Sequence, residues 1–173
     1  LVISSHCDAD YASAQTPDPD QLFRSIRAYF CFINGDPISW FSKLSPTNGT
    51  KYDISVALST VSAETNAAKE ALCEVYQKRC LLENLGFAQL EPSIIWSDST
   101  GVIRNSNNPI HSQKMKIEGA KLQFIRQHVK KGTCVFKYIN TDDNTSDILT
   151  KAISPNPKFH HLSQMFMSRP DKT

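Results

Sequence analysis

Two aspartates, one residue apart, follow the first apolar run of this sequence. The run LVISSHC at residues 1–7 is typical of a β-strand, and Asp8 and Asp10 come directly after it in SHCDADYASA. Residues two apart on a strand point the same way, so both carboxylates are expected on one side of a sheet. Like charges at that spacing repel each other unless a cation lies between them. Taken alone, these residues favour a solvated surface turn, and a cation site is the alternative.

Three further acids stand at the ends of predicted elements. Glu64 falls in the first turn of a helix predicted over 62–85, Asp98 ends the predicted strand SIIWSD, and Asp147 lies in the first turn of the helix predicted for NTSDILTKAI. Each one alone is explained by a favourable charge at a helix N-terminus or a strand end. If the first and fourth strands are parallel neighbours, however, their carboxyl ends meet where ligands bind in such sheets.

Four carboxylates around one point form a site of hard oxygen donors. Such a site suits Mg²⁺ or Mn²⁺, which prefer oxygen ligands and keep waters that a substrate phosphate can share. Two ions about 3.5–4 Å apart can activate a water and stabilise the leaving oxygen of a phosphodiester. The acids therefore predict a metal-dependent reaction on a phosphate ester, provided that the fold brings them together.

The elements that must position these acids follow from hydrophobic periodicity. The order is three strands, a helix, a strand, helices, a strand and a helix, which predicts an α/β fold with a five-stranded mixed sheet and helices on both faces. The first three strands are antiparallel, and the last two are parallel under the pairing assumed above. The predicted elements are a strand ending at Asp8, the strands RAYFCFIN and PISWFSKL around a turn at Gly35-Asp36, the helix 62–85 with Ser62 as N-cap and Gly86 as its stop, the strand SIIWSD, a helix capped by Ser99, a basic helix, the strand TCVFKYIN and the helix NTSDILTKAI.

Positive charge is concentrated between residues 114 and 131. The segment contains Lys114, Lys116, Lys121, Arg126, Lys130 and Lys131 against the single acid Glu118. Its apolar residues recur at three- and four-residue steps, so it is predicted to be an amphipathic helix with a cationic outer face. Such a face binds nucleic acid in some proteins and is only a solvated surface in most, and both interpretations stay open.

Composition limits the class of protein. The 173 residues, 40% of them hydrophobic, suit one globular domain. No apolar run is long enough to span a membrane, and the first residues do not resemble a signal peptide, so we expect a soluble, unsecreted protein without membrane contact. The five cysteines are scattered and form no C-x-x-C pair, which argues against a disulfide framework and a zinc knuckle. Because it begins at Leu1, the chain looks like a piece of a longer polypeptide.

Several motifs resemble one family. DAD in the first strand, STVSAETNAAKEA at the start of the first helix, IIWSD in the fourth strand and INTDDNTSDILTKAI near the end resemble the ribonuclease H domain of copia-type (Pseudoviridae) LTR-retrotransposon Pol polyproteins. The segments GDPISWFSKLSP and NNPIHSQKMKIEGAKLQFIRQHVKKG are also similar to that family. The resemblance covers about residues 4–153 and implies a ribonuclease H-like fold, with a domain over 1–153 and a C-terminal tail over 154–173, which includes His160 and His161.

The resemblance implies a metal-dependent endonuclease that cleaves the RNA strand of RNA·DNA hybrids. It assigns Asp8, Glu64, Asp98 and Asp147 as catalytic residues and as ligands of two ions, Mg²⁺ or Mn²⁺, and leaves Asp10 a local role in a turn or as a hydrogen-bond acceptor. The reaction it implies is in-line attack by water that leaves a 5′-phosphate and a 3′-hydroxyl. No Ser or Cys nucleophile is indicated.

The implied substrate contacts lie in the basic segment. The hybrid is expected to contact Lys114, Lys116, Lys121, Arg126, Lys130, Lys131 and His111. The other implied partner is the upstream reverse transcriptase domain of the same polyprotein, and the expected location is a cytoplasmic virus-like particle, with the nucleus as an alternative. The connection NTDDNTS lacks the histidine that cellular ribonucleases H carry there, which predicts slow turnover or dependence on the polymerase domain.

Two other classes of function compete with this one. The first is a catalytically weak or inactive domain that binds nucleic acid, or acts as a scaffold, and supports the reverse transcriptase. Four retained acids count against it, because buried like charges without a metal destabilise a fold. The second is an integrase-like or other metal-dependent DNA nuclease of the same fold, which is weaker because such sites usually have three acids. Preference for hybrid over duplex discriminates between the classes, since the fold alone cannot.

Overall fold

The computed structural model describes residues 1–14, 24–45, 59–108, 119–151 and 157–167. Within these residues, a mixed sheet is covered by helices. The strands are β1 Ile3–Ala14, β2 Arg24–Ile33, β3 Asp36–Leu44, β4 Ser93–Ser97 and β5 Cys134–Tyr138; the helices are α1 Thr60–Asn84, α2 Thr100–Asn107, α3 Gly119–Lys130, α4 Asp147–Thr150 and α5 Pro157–Gln164, and a 3₁₀ turn spans Thr141–Asp143. Every strand and helix predicted from hydrophobic periodicity has a counterpart among them.

The sheet has the strand order β3-β2-β1-β4-β5. The pairs β1/β2 and β2/β3 are antiparallel, whereas β1/β4 and β4/β5 are parallel. The hairpin between β2 and β3 turns at Asn34 and Gly35, one residue earlier than the predicted Gly35-Asp36, and both residues have positive φ, as a type I′ hairpin turn requires. The predicted five-stranded mixed sheet and the parallel pairing of the first and fourth strands are therefore confirmed.

Helices cover both faces of this sheet, as predicted. One face of β1 presents Ile3 and Cys7, which join the hydrophobic core together with α1, α2 and α3. The alanines of α1 on its buried side, including Ala67 and Ala71, let this helix lie close to the strands. On the opposite face, β1 presents His6 to the α4 region through Thr145, and β2 presents Phe30 to Phe166, which follows α5.

Two element boundaries differ from the predictions. Strand β1 continues past Asp8 to Ala14, because pairing with β2 persists through Asp10↔Ile26 and resumes at Ala14↔Arg24 after an irregularity. Helix α1 begins at Thr60, and its N-cap is Ser59, whose side chain accepts a hydrogen bond from Ser62 N at 3.2 Å. Ser62 is thus buried in the first turn instead of capping it. Ser99 caps α2 as predicted.

The C-terminal segment contributes a docked helix. Leu162 of α5 is fully buried, and the Phe166 ring lies 4.9 Å from that of Phe30. The described part of the predicted tail therefore packs on the domain, because its apolar side chains cover one face of the sheet. The boundary between domain and tail at residue 153 stays a prediction. Across the described ranges, no helix is long and apolar enough to cross a membrane.

Candidate active site

Parallel pairing of β1 with β4 places two of the predicted acids side by side. The strands are in register at His6↔Trp96, and Asp8 and Asp98 each come two residues later. The first turn of α1 brings Glu64 to the same point. Ligand oxygens of Asp8, Glu64 and Asp98 all lie within 4.8 Å of one another. Three acids that are far apart in sequence therefore meet just beyond the point where the parallel pairing of β1 with β4 ends.

The acid cluster, as we call Asp8, Glu64 and Asp98, is largely shielded from water. Asp8 is 2% exposed and Glu64 is 7% exposed. Burial, with the neighbouring charges of Asp8 and Asp98, raises the pKa of Glu64 from 4.5 to about 9. Burial likewise raises the pKa of Asp8 to about 6, although Thr150 and Lys151 act in the opposite direction. These raised values reflect carboxylates that are unstable together without a cation.

Neighbouring hydroxyl groups orient two members of the cluster. Thr141 donates a hydrogen bond of 2.7 Å to Asp98 Oδ2, and Thr150 donates one to Asp8 Oδ2. Glu64 Oε2, in contrast, is buried without a hydrogen-bond partner among the residues that the structure describes. A buried, unsatisfied carboxylate oxygen is costly unless it accepts a hydrogen bond or contacts a cation.

Asp147, the fourth predicted acid, lies beside the cluster but is held by two lysines. Lys151 is ion-paired with Asp147 Oδ1, and its Nζ also lies 3.9 Å from Asp8 Oδ2. Lys158 Nζ lies 2.6 Å from Asp147 Oδ2. Burial alone raises the pKa of Asp147, but the hydrogen bonds and charges of both lysines outweigh it and hold that pKa below its usual value. The structure therefore joins Asp147 to the cluster through the Lys151 ammonium.

The segment that carries Asp147 is fastened to β1 by side chains. Asn144 Nδ2 donates to Cys7 O at 3.0 Å, and Ser146 Oγ donates to His6 O at 2.8 Å. Both acceptors immediately precede Asp8, so these bonds fix the start of α4 against the strand that carries the first acid. The residues around Asp147 thus position the site, although most of their side chains are not candidates for catalysis.

Sequence reasoning missed the two lysines and both threonines. Lys151 stands four residues after Asp147 on the same helical turn, a spacing typical of ion pairs, and this signal was available in the sequence. Lys158 belongs to a segment interpreted as a tail, so no local pattern linked it to an acid in another helix. Thr141 and Thr150 reach the cluster only through the tertiary fold.

The remaining acids near the site serve other contacts. Asp10 is not part of the acid cluster, which agrees with the minor local role expected for it. Asp142 lies 3.4 Å from Lys158, and Asp143 lies 2.8 Å from His161 Nε2. His161, interpreted as a tail residue, therefore contacts the turn before α4.

The predicted substrate-binding residues differ in their exposure to solvent. Lys130 and Lys131 are exposed at the end of α3. Lys121 is only 8% exposed and lies among the buried residues of α3, which corrects the prediction of an outer position. Arg126 is half-buried, and its Nε donates to Asn105 O at 2.8 Å, so it joins α3 to the end of α2. Lys114, Lys116 and His111 lie outside the described residues.

These donors fit a hard divalent cation. All ligand atoms of the acid cluster are carboxylate oxygens, the set that Mg²⁺ and Mn²⁺ prefer, and no sulfur or imidazole donor belongs to it. The unsatisfied Glu64 Oε2 and the raised pKa values of Asp8 and Glu64 indicate the same requirement for positive charge. Both oxygens of Asp147 are paired with lysines, so a divalent ion would compete with these ammonium groups for Asp147.

Comparison with known proteins gives sequence relatives that are plant polyproteins. No family model matches the chain. The chain is 32% identical over 164 residues, 95% of its length, to the retrovirus-related Pol polyprotein from transposon TNT 1-94 of Nicotiana tabacum. It is 29% identical over 169 residues, 98% of its length, to the corresponding polyprotein from transposon RE1 of Arabidopsis thaliana. The chain spans only 11% of the length of each of these relatives.

Solved structures with a similar fold are ribonucleases H. LC11-RNase H1 in complex with an RNA/DNA hybrid has a TM-score of 0.55 at 15% identity, over 86% of this chain and 93% of that one. The foamy viral protease-reverse transcriptase in complex with an RNA/DNA hybrid has a TM-score of 0.54 at 15% identity, over 86% of this chain and 19% of that one. The homologues are thus copia-type, retrovirus-related Pol polyproteins from plants and the fold is that of ribonuclease H structures, which is consistent with a ribonuclease H domain of such a polyprotein.

Proposed function

We propose that this domain is a metal-dependent endonuclease that hydrolyses the RNA strand of RNA·DNA hybrids during reverse transcription of a retrotransposon. The observation that carries the proposal is the acid cluster, in which Asp8, Glu64 and Asp98 converge from two strands and a helix. Because ionised carboxylates this close destabilise a fold, their convergence is best explained by a bound divalent cation. The Pol polyprotein relatives and the ribonuclease H fold support the same activity.

The chain's own residues have distinct roles in this proposal. Asp8, Glu64 and Asp98 would hold the divalent ions, and Asp147 would be the fourth ligand once released from a lysine. When bound, two ions supply the positive charge that makes a water nucleophilic and stabilises the leaving oxygen of a phosphodiester. Thr150 and Thr141 orient the carboxylates of Asp8 and Asp98, so that these two acids need little rearrangement when substrate arrives.

The proposed products are an RNA with a 3′-hydroxyl and an RNA with a 5′-phosphate. They result from attack of water at phosphorus, in line with the departing 3′-oxygen, without a covalent intermediate. The buried cysteine nearest to the cluster, Cys7, has a pKa raised well above its usual value by burial and nearby acids, so its thiol is a poor nucleophile. The site therefore favours direct attack by water over attack by a nucleophilic side chain of the protein.

Hybrid recognition is proposed to use exposed cations. Lys130 and Lys131 at the end of α3 are available to phosphates, and Lys114, Lys116 and His111 keep the role predicted from the sequence. Because Lys121 is buried and Arg126 joins α3 to α2, we propose that these two residues shape the helix more than they contact substrate. The upstream reverse transcriptase domain is the proposed partner within the polyprotein, and a virus-like particle in the cytoplasm the proposed location.

A catalytically weak domain that binds nucleic acid is the second candidate. One observation favours it: both oxygens of Asp147 are paired with lysines, an arrangement that opposes a fourth ligand to metal. In that case the domain would bind hybrid and support the reverse transcriptase with little cleavage of its own.

Cleavage of a labelled RNA·DNA hybrid at millimolar Mg²⁺ and then Mn²⁺ separates the two candidates. DNA duplex and double-stranded RNA serve as substrate controls, and Asp98→Asn as the protein control. The nuclease proposal expects cutting of only the RNA strand of the hybrid, lost in the variant. Tight binding of hybrid that stays intact in both metals would instead support the binding domain, and cutting of duplex DNA would indicate a DNA nuclease of the same fold.

A further inference from the structure

Helix α5 places the ammonium group of a lysine at the edge of the acid cluster. Lys158, in its first turn, lies 2.6 Å from Asp147 Oδ2 and 3.4 Å from Asp142 Oδ1. Lys151 occupies the other oxygen of Asp147 and also approaches Asp8. Two ammonium groups therefore pair with the two oxygens of Asp147, and one of them comes from α5.

The contact is supported by docking of the whole helix. His161 Nε2 lies 2.8 Å from Asp143 Oδ1, in the turn that leads into α4. One helical turn after Lys158, Leu162 is fully buried, and Phe166, which follows α5, packs on Phe30 of β2. Apolar packing thus holds α5 on the sheet, while Lys158 and His161 hold it on the segment that carries Asp147. The position of Lys158 is a consequence of this docking and not of a freely moving surface side chain.

We propose that Lys158 competes with a divalent ion for Asp147, so that docking of α5 weakens the binding of the ion that Asp147 would help to hold. This inference rests on the proposed metal site. Lys158 would then be a positioning residue that sets how readily Asp147 enters the ligand set. An ion bound mainly by Asp8, Glu64 and Asp98 would be little affected, because the described ion pairs of Lys158 are with Asp147 and Asp142 and not with those three acids.

The expected change in affinity for the divalent ion follows from the ion pair between Lys158 and Asp147, which the ion must break. A partly exposed ion pair contributes up to about 1 kcal/mol, and 1.4 kcal/mol corresponds to a tenfold change in affinity. Removal of the Lys158 charge is therefore expected to tighten the weaker divalent site by about fivefold. Release of Asp147 also frees α5 from one of its anchors, so occupancy of that site should loosen the helix.

The test measures Mn²⁺ binding to the full 173-residue chain by isothermal titration calorimetry. Lys158→Gln is expected to bind the weaker Mn²⁺ about fivefold more tightly than the wild type. Lys158→Arg keeps the charge and should behave like the wild type, and Lys43→Gln, at an exposed lysine of β3, is the matched control for loss of one lysine elsewhere. Circular dichroism verifies that each variant is folded.

Hydrogen–deuterium exchange provides a second readout. In the wild type, amides of residues 157–167 should exchange faster at Mn²⁺ concentrations that fill the weaker site, because the ion displaces Lys158 from Asp147. A lysine with a purely structural role would show no such dependence on metal. In Lys158→Gln, exchange in this segment should no longer depend on Mn²⁺.

The outcomes distinguish this inference from the proposed function. Equal Mn²⁺ affinity in the wild type and Lys158→Gln, in a protein that binds Mn²⁺ and cleaves hybrid, overturns the competition and leaves the nuclease intact. Weaker binding in Lys158→Gln also overturns it, since Lys158 would then support the ligand set. A wild type that binds no Mn²⁺ contradicts both this inference and the metal-dependent function.

Discussion

Glu64 should destabilise the metal-free domain, and its neutralisation should make the fold more stable. The acid lies buried in the cluster, where its pKa rises from 4.5 to about 9 through burial and the charges of Asp8 and Asp98. Glutamine has nearly the same shape as protonated glutamate but cannot ionise. We therefore expect Glu64→Gln to raise the free energy of unfolding in EDTA while removing a ligand that the proposed reaction needs.

The magnitude follows from proton linkage. Above pH 4.5 the unfolded chain releases the Glu64 proton, whereas the folded chain keeps it until about pH 9, so rising pH favours the unfolded state by about 1.36 kcal/mol per pH unit in this window. At pH 7.5 the loss reaches about 4 kcal/mol as an upper limit, and structural relaxation with water entry reduces it. We expect Glu64→Gln to be more stable than the wild type by about 1–4 kcal/mol at pH 7.5, and by little at pH 4.

Urea unfolding, monitored by tryptophan fluorescence at pH 4 and pH 7.5, measures this difference. Glu83→Gln changes an exposed acid on the same helix and should alter stability by less than about 0.5 kcal/mol. Addition of Mg²⁺ should stabilise the wild type more than Glu64→Gln, because the ion relieves the repulsion only where all three acids are present. A Glu64→Gln variant that is no more stable than the wild type at pH 7.5 would refute the inference that ionised Glu64, buried beside Asp8 and Asp98, destabilises the metal-free fold.

Two further predictions concern binding and folding away from the cluster. The double change Lys130→Gln with Lys131→Gln should weaken hybrid binding and lower the slope of log affinity against log salt by about 1 to 2. Fluorescence anisotropy across a salt series measures both effects. An unchanged slope would exclude these lysines as phosphate contacts. Arg79→Met should lower the free energy of unfolding, measured in urea, by about 2–4 kcal/mol. The buried guanidinium donates hydrogen bonds to Gln89 O, Glu91 O and Ser93 Oγ, and the variant leaves these acceptors without that donor. A loss below about 0.5 kcal/mol would contradict this role of Arg79.

Much of the fold was predictable because its signals are local. The β2–β3 hairpin follows from the two apolar runs on either side of the predicted Gly35-Asp36 turn, which the structure moves by one residue to Asn34-Gly35, and α1 follows from apolar residues at helical spacing. The meeting of Asp8 with Asp98 was predictable once the first and fourth strands were assumed to be parallel neighbours. That assumption came from strand order and the family resemblance, and the pairing His6↔Trp96 confirms it.

The features that escaped prediction depend on tertiary contacts. Lys121 belongs by charge to the outer face of an amphipathic helix, yet the packing of α3 buries it. Ser59 and Ser62 are equally good N-caps by residue type, and only the geometry of the first turn selects Ser59. The segment with α5 was interpreted as a tail, because its sequence does not show which part of the domain its apolar residues pack on. In the structure Leu162 is buried, and Lys158 lies beside Asp147.

The most direct test of the central claim compares single-turnover cleavage of an RNA·DNA hybrid by the wild type and by Asp8→Asn, Glu64→Gln and Asp98→Asn in Mg²⁺, with Asp10→Asn as the matched control on the same strand. If the acid cluster holds the ions that drive hydrolysis, each of its three variants should lose at least about 100-fold in rate, as is typical when electrostatic stabilisation of a transition state is removed, while Asp10→Asn stays within about threefold of the wild type. Cleavage that survives loss of any one cluster acid, or that depends on Asp10 as strongly as on Asp8, would contradict the account.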